Sequence, residues 1–214
     1  MAEDLGTRPI RVVVANTGPI VAAMLGECLE KVPQCLEQIH IPAVELQEWK
    51  DTLGWINQKL PADKRVDVPS LLGQWTQQGT LVLHELTSAQ EKRAHEVTLR
   101  IHPDFVESGK LAVDGAAVVL ARTLIDLGRA QALLADERRI RRYAMEEGIE
   151  IVGSIWLFRR LFEAGALDLD AAMDAPKLAQ SRGQHYSPKL ISEFSASLLQ
   201  INEERSRSPG DRKM

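Results

Sequence analysis

Hydrophobic positions along this chain follow two patterns in turn. Short unbroken apolar runs, rich in β-branched residues, read as buried strands. They fall at 10–15, where Val12-Val13-Val14-Ala15 stops abruptly at Asn16-Thr17-Gly18-Pro19, and at 38–41, 81–84, 131–135 and 149–152. Between the runs, apolar residues recur at helical spacing. Ile20, Val21, Met24, Leu25, Cys28 and Leu29 predict a helix from Ile20 to Cys35, ended or kinked by Pro33. Further helices are predicted from Ala43, over 89–101 with Ser88 as cap and Glu91 completing a capping box, and from Leu111 to a stop at Gly128. Others run from Arg138 to Glu147 before Gly148, from Ile155 to Ala164 before Gly165, over 169–180, and from Ser187-Pro188 to Ile201. Strand and helix alternate. The predicted fold class is α/β, a three-layer α/β/α arrangement with a mostly parallel central sheet.

Length suits one domain with extensions. Residues 1–9 form a polar lead-in and 10–168 the domain. Within it, 51–105 is a less regular helical excursion expected to cover the sheet edge. Residues 169–201 form a helical extension, and the charged, Pro/Gly-broken 202–214 is expected to be a disordered tail. A net charge of -4 gives no global basic signature and leaves nucleic-acid binding to a local patch. The two cysteines, Cys28 and Cys35, lack metal-ligand spacing and read as free thiols of a reducing cytosol. No apolar stretch is long enough to span a membrane and no apolar signal region opens the chain, so a cytoplasmic protein without a membrane partner is expected.

The chemistry lies at the junctions where a strand ends and a helix begins. Asn16 and Thr17, Glu45, Asp114, and Asp136 with Glu137 all stand there. Each has a local explanation as a helix cap or a favourable first-turn charge. Parallel strands, however, bring all such junctions to one edge of the sheet. Carboxylates crowded together repel, and a cation relieves the repulsion. Hard oxygen ligands with room for water suit Mg²⁺ or Mn²⁺. Such an ion activates water and stabilises charge on a phosphate. Arg138, Arg139, Arg141 and Arg142 follow at once and read either as a solvated helix surface or as phosphate contacts for RNA. The tryptophans Trp49, Trp55, Trp75 and Trp156 read as core or interface residues, and the five histidines as scattered.

The order of these motifs resembles the PIN-domain family: the apolar strand with Asn16-Thr17-Gly18-Pro19, Ile41-Pro42-Ala43-Val44-Glu45, Asp114 opening an Ala-rich helix, and Leu133-Leu134-Ala135-Asp136-Glu137. The first motif is similar to that of the prokaryotic branch related to VapC toxins, and Tyr186-Ser187-Pro188 to its C-terminal segment. The resemblance covers roughly residues 10–200. It implies a PIN-like three-layer fold and a metal-dependent endoribonuclease acting on RNA, often the toxin of a toxin–antitoxin pair, with an antitoxin protein as partner and a homodimer as the usual state. Asn16, Glu45, Asp114 and Asp136 then match the four acidic positions, Glu137 an accessory ligand and Thr17 a supporting hydroxyl. Arg138, Arg139 and Arg142 become the expected nucleic-acid contacts. Two positions depart from the pattern. Asn16 is an amide with one less negative charge than Asp, and Val113-Asp114 stands where Gly-Glu is usual. The alternative expectation is a catalytically weak or inactive PIN-like module that binds a protein or nucleic-acid partner.

Overall fold

The structure, a computed structural model, describes residues 10–103 and 113–207. Five strands, β1 (Val12–Ala15), β2 (Gln38–Pro42), β3 (Leu81–His84), β4 (Ala132–Leu134) and β5 (Ile151–Val152), form one sheet in the order β3-β2-β1-β4-β5. Every neighbouring pair is parallel. The chain winds outward from β1 in both directions, so the carboxyl end of β1 is the switch point where open α/β sheets leave a crevice. Nine helices cover the sheet among the described residues: α1 (Thr17–Leu25), α2 (Glu45–Lys59), α3 (Val68–Gln77), α4 (Ser88–Ile101), α5 (Val113–Asp126), α6 (Arg138–Glu146), α7 (Ser154–Glu163), α8 (Leu169–Ser181) and α9 (Pro188–Arg207).

Strand side chains alternate between two cores. Val13, Ala15, Ile39, Ile41 and Leu134 pack with α1, α2, α3, α7, α8 and α9. Val14, Leu133 and Ala135 face α4, α5 and α6. The three-layer α/β/α fold predicted from the strand–helix alternation is therefore the one observed. The 51–80 stretch is more regular than its sequence suggested. Helix α2 continues to Lys59, and α3, capped by Asp67 Oδ1 on the Ser70 N–H, packs against the edge strand β3. Trp49 and Trp75 are fully buried, whereas Trp55 is 56% exposed beneath the Lys59 ammonium. Both cysteines are free and buried, and burial pushes each thiol up to about 12. Among the described residues no helix is long and apolar enough to cross a membrane.

Three helix boundaries differ from expectation. The first helix ends at Leu25, well short of Cys35. Glu27 adopts φ 58°, and the Cys28 N–H reaches back to the Ala23 carbonyl, closing the helix with a left-handed residue. Arg182 holds that residue through its carboxylate and through the Leu25 carbonyl, and a 3₁₀ turn over Leu29–Gln34 carries the chain on. The capping box sits one residue earlier than predicted: Thr87 accepts from the Gln90 N–H, and the Gln90 side chain accepts from the Thr87 N–H. Helix α9 runs to Arg207 rather than stopping at Ile201, because Gln200–Glu204 and Glu203–Arg207 pair along it and Arg205 donates to the last carbonyls of α7. It packs on α7 and α8 through Phe194 and Leu198. The lead-in 1–9, the expected helix start at Leu111 and the tail from 208 lie outside the described residues.

Helices α4 and α5 approach most closely at Gly115. A Cβ there would lie 2.0 Å from the Ala94 carbonyl oxygen, and the Gly115 N–H donates to Thr98 Oγ1 at 3.1 Å. Only glycine fits, and this contact sets the end of α4 against the start of α5. Gly115→Ala is expected to destabilise the fold by about 3 kcal/mol, lowering the thermal midpoint by roughly 10 °C, as read by circular-dichroism melting.

On the sheet face turned to α5, His40 Nδ1 and His84 Nε2 lie 2.7 Å apart. Burial, then His84, then Arg129 push His40 down to about 4, and burial with Arg129 also lowers His84. His40 takes up its proton near 6.5 in the unfolded chain and only near 4 in the folded protein, and His84 shifts in the same direction. Stability is therefore full above pH 6.5 and is lost as the pH falls toward 4. His40→Gln is expected to flatten this part of the curve, measured as urea unfolding of both proteins across pH 4–7.

Candidate metal centre

Parallel registration brings the strand ends to one level. Ala15 pairs with Leu134, Leu134 with Val152, and Pro42 with His84. Asn16 is the residue after β1 and caps α1, its Oδ1 accepting the Gly18 N–H at 3.3 Å. Its Nδ2 donates to Asp114 Oδ1 at 2.9 Å. Asp114 is the second residue of α5. Its other oxygen, Oδ2, lies 2.7 Å from His102 Nε2 just past the end of α4, and the same His102 nitrogen lies 3.7 Å from Glu137 Oε1. His102, Asp114 and Glu137 each offer one ligand atom, all within 4.8 Å of one another, and they form the one such trio among the described residues. Burial and Asp114 push Glu137 up, while His102 and Arg139 oppose the shift.

Glu45, the first residue of α2, is fully buried, and neither of its carboxyl oxygens has a hydrogen-bond partner. Burial raises it well above the ordinary carboxylate range. Glu48 and Asp114 raise it further, and the Trp49 indole, itself without a hydrogen-bond partner, opposes this weakly. Glu48 accepts the Thr17 hydroxyl at 3.0 Å. Thr17 therefore supports the acidic shell through Glu48. A buried carboxyl with no donor, beside two further acids, fits a site built for a cation, and the donor set of carboxylates with one imidazole suits a divalent ion.

Asp136 does not join the trio. Its Oδ1 accepts the Ser154 N–H at 2.8 Å, so it caps α7, and Oδ2 receives only a 3.4 Å contact from Gln184 Nε2. Burial pushes Asp136 up against the opposing Ser154 hydrogen bonds and Arg141. Of the arginines, Arg141 donates to the Ala135 carbonyl and Arg142 pairs with Glu146. Arg139 and Arg142, with Arg100 at the end of α4, line an open cleft of about 540 Å³ on the flank of the trio, and Arg138 is exposed. Two members of the acidic surroundings went unread in the sequence. Glu48 stands three residues after Glu45 on one helix face, a spacing that could have revealed it. His102 is among the five histidines that read as scattered, because its place depends on the α4–α5 approach at Gly115.

The family comparison agrees with the fold. Residues 12–200 match the family DUF3368, a PIN domain, and the chain belongs to that family, in which nucleases are typical. Comparisons with curated proteins and with solved structures found no match.

Because Glu45 is neutral when folded and ionises near 4.5 when unfolded, its stabilising share is full below pH 4.5 and is lost as the pH rises toward its elevated folded value. Glu45→Gln should leave stability unchanged at pH 4 and raise it by about 2 kcal/mol at pH 7, measured by denaturant unfolding without metal.

Proposed function

We propose that this protein is a metal-dependent endoribonuclease, with Mg²⁺ or Mn²⁺ held by Asp114, Glu137 and His102, and by Glu45 once its proton has left. The observation that carries the reading is the fully buried Glu45, whose two oxygens have no partner, beside Asp114 and Glu48. When bound, such an ion supplies Lewis-acid charge for the phosphate and lowers the pKa of water. The chain's own contribution is orientation. Asn16 fixes Asp114 through Oδ1 and Thr17 holds Glu48, while His102 Nε2, 2.7 Å from Asp114 Oδ2, would give up that contact to ligate the ion. Arg100, Arg139 and Arg142 offer phosphate contacts along the flank, a sequence-independent attraction that weakens with salt. The resemblance of Asn16-Thr17-Gly18-Pro19 to VapC toxins supports the further reading of a toxin with an antitoxin partner.

One observation favours the alternative of a weak or inactive binding module. Both ends of the Asn16 amide are committed, Oδ1 to the α1 N-terminus and Nδ2 to Asp114, where an aspartate would add negative charge.

Two measurements separate these readings. Cleavage of structured RNA in Mn²⁺ is expected for the wild type and should fall about 100-fold in Asp114→Asn, the scale of losing one charged stabiliser. Calorimetric Mn²⁺ affinity should rise roughly tenfold in Asn16→Asp. Equal cleavage by wild type and Asp114→Asn would remove the nuclease reading. Absence of saturable Mn²⁺ binding would favour the binding module.

A further inference from the structure

Beside the metal centre, a cavity of about 560 Å³ opens between the first turns of α7 and the facing side of α9. It belongs to neither the His102 trio nor the arginine cleft. Its floor holds Asp136, whose Cβ lies 3.8 Å from where a Cβ on Gly18 would stand, so the cavity begins beside the first turn of α1, next to Asn16. The segment Gln184–Tyr186, between α8 and α9, closes one wall. Tyr186 is buried there with its hydroxyl 2.8 Å from Ser154 Oγ, so this wall is fixed to the same residue whose N–H holds Asp136.

We propose that this cavity is a subsite for one nucleotide of single-stranded RNA, the neighbour of the phosphodiester held at the acidic cluster. The proposal rests on the ribonuclease reading above. The volume lies in the range of small-molecule cavities, and the lining is mostly apolar with a few convergent polar groups. Trp156, half-buried on the α7 wall, offers an aromatic ring to a base, a contact that every base can make. Asp136 keeps acceptor capacity on Oδ2, and the Gln184 amide stands next to it, so acceptor and donor are presented together to a base edge. On the rim, Arg159 uses Nε for Glu163 and has no described partner on its terminal nitrogens, which leaves them for a phosphate. The lining sets Asp136 and Glu193 against Arg141 and Arg159, so it offers no excess of positive charge to a bare anion and leaves the base contacts to carry affinity. A base can enter only when it is unpaired and unstacked, which selects single strands or loops.

The test is calorimetric titration of the full chain with each of the four ribonucleoside 5′-monophosphates in EDTA, so that no metal carries the phosphate. Saturable binding by at least one is expected. Trp156→Leu should weaken it roughly 10- to 100-fold, the worth of one stacked base. Gln184→Ala should weaken it about tenfold. Lys92→Ala, an exposed α4 position outside the cavity and the arginine cleft, should leave it unchanged, and melting curves establish that each variant is folded. Failure of all four nucleotides to bind at about 10 mM, a level beyond the weakest specific affinities, overturns the proposal. So does binding that neither Trp156→Leu nor Gln184→Ala alters. Nucleotide binding without RNA cleavage would retain the subsite and remove the nuclease reading. Cleavage without nucleotide binding would do the reverse.

Discussion

A carboxyl group sealed from water without a completed hydrogen bond is the constraint on which this site depends. Glu45 lies at the first position of α2, fully buried, with Glu48 and Asp114 around it. Burying a polar group without a hydrogen bond costs on the order of 1–3 kcal/mol in proteins. The neighbouring acids have partners: Asp114 has Asn16 and His102, Glu48 has Thr17, and Asp136 has the Ser154 N–H. Glu45 is the one left over, and its position would be hard to justify by stability alone. A fold that keeps such a group stores destabilisation that a bound cation would relieve.

The parallel sheet is what makes this crowding unavoidable. With β2, β1 and β4 adjacent and in parallel, the residues just past their carboxyl ends must lie along a single edge. That inference needed only the hydrophobic runs and the polar residues closing them, which is why the layer order and the neighbourhood of Asn16 and Glu45 were legible in the sequence; Asp114, expected just past a strand, instead opens α5 after α4 and reaches this edge through helix packing. What was not legible is direction. Asp136 and Glu137 are adjacent in the chain, yet Glu137 faces His102 while Asp136 turns to α7. At the end of a strand, successive side chains diverge, and which one enters the site is decided by the helix that follows. No residue pattern short of the packed structure gives that choice.

His102 illustrates the other limit. Its sequence neighbourhood marks only the end of α4. It reaches Asp114 because Gly115 lets α5 approach the Ala94 carbonyl more closely than any side chain would permit. Gly115 alone in the sequence reads as a residue inside an apolar helix, where glycine costs about 1 kcal/mol relative to alanine. The structure supplies its reason: a backbone contact that brings His102 and Asp114, at two helix ends, together.

Asn16 ties these levels together. An aspartate at the end of β1 would add a further negative charge to a site where burial and the neighbouring acids already hold Glu45 well above the ordinary carboxylate range. The amide instead caps α1 through its oxygen and donates a hydrogen bond to Asp114 through its nitrogen. The substitution therefore trades cation attraction for a settled site in the absence of a cation. It also transfers weight to His102 and Glu137, which stand on the far side of Asp114 and are untouched by that exchange. With the first motif so committed, ligands for a divalent ion would have to come from that opposite flank, which among the described residues is the one place where an imidazole and two carboxylates converge.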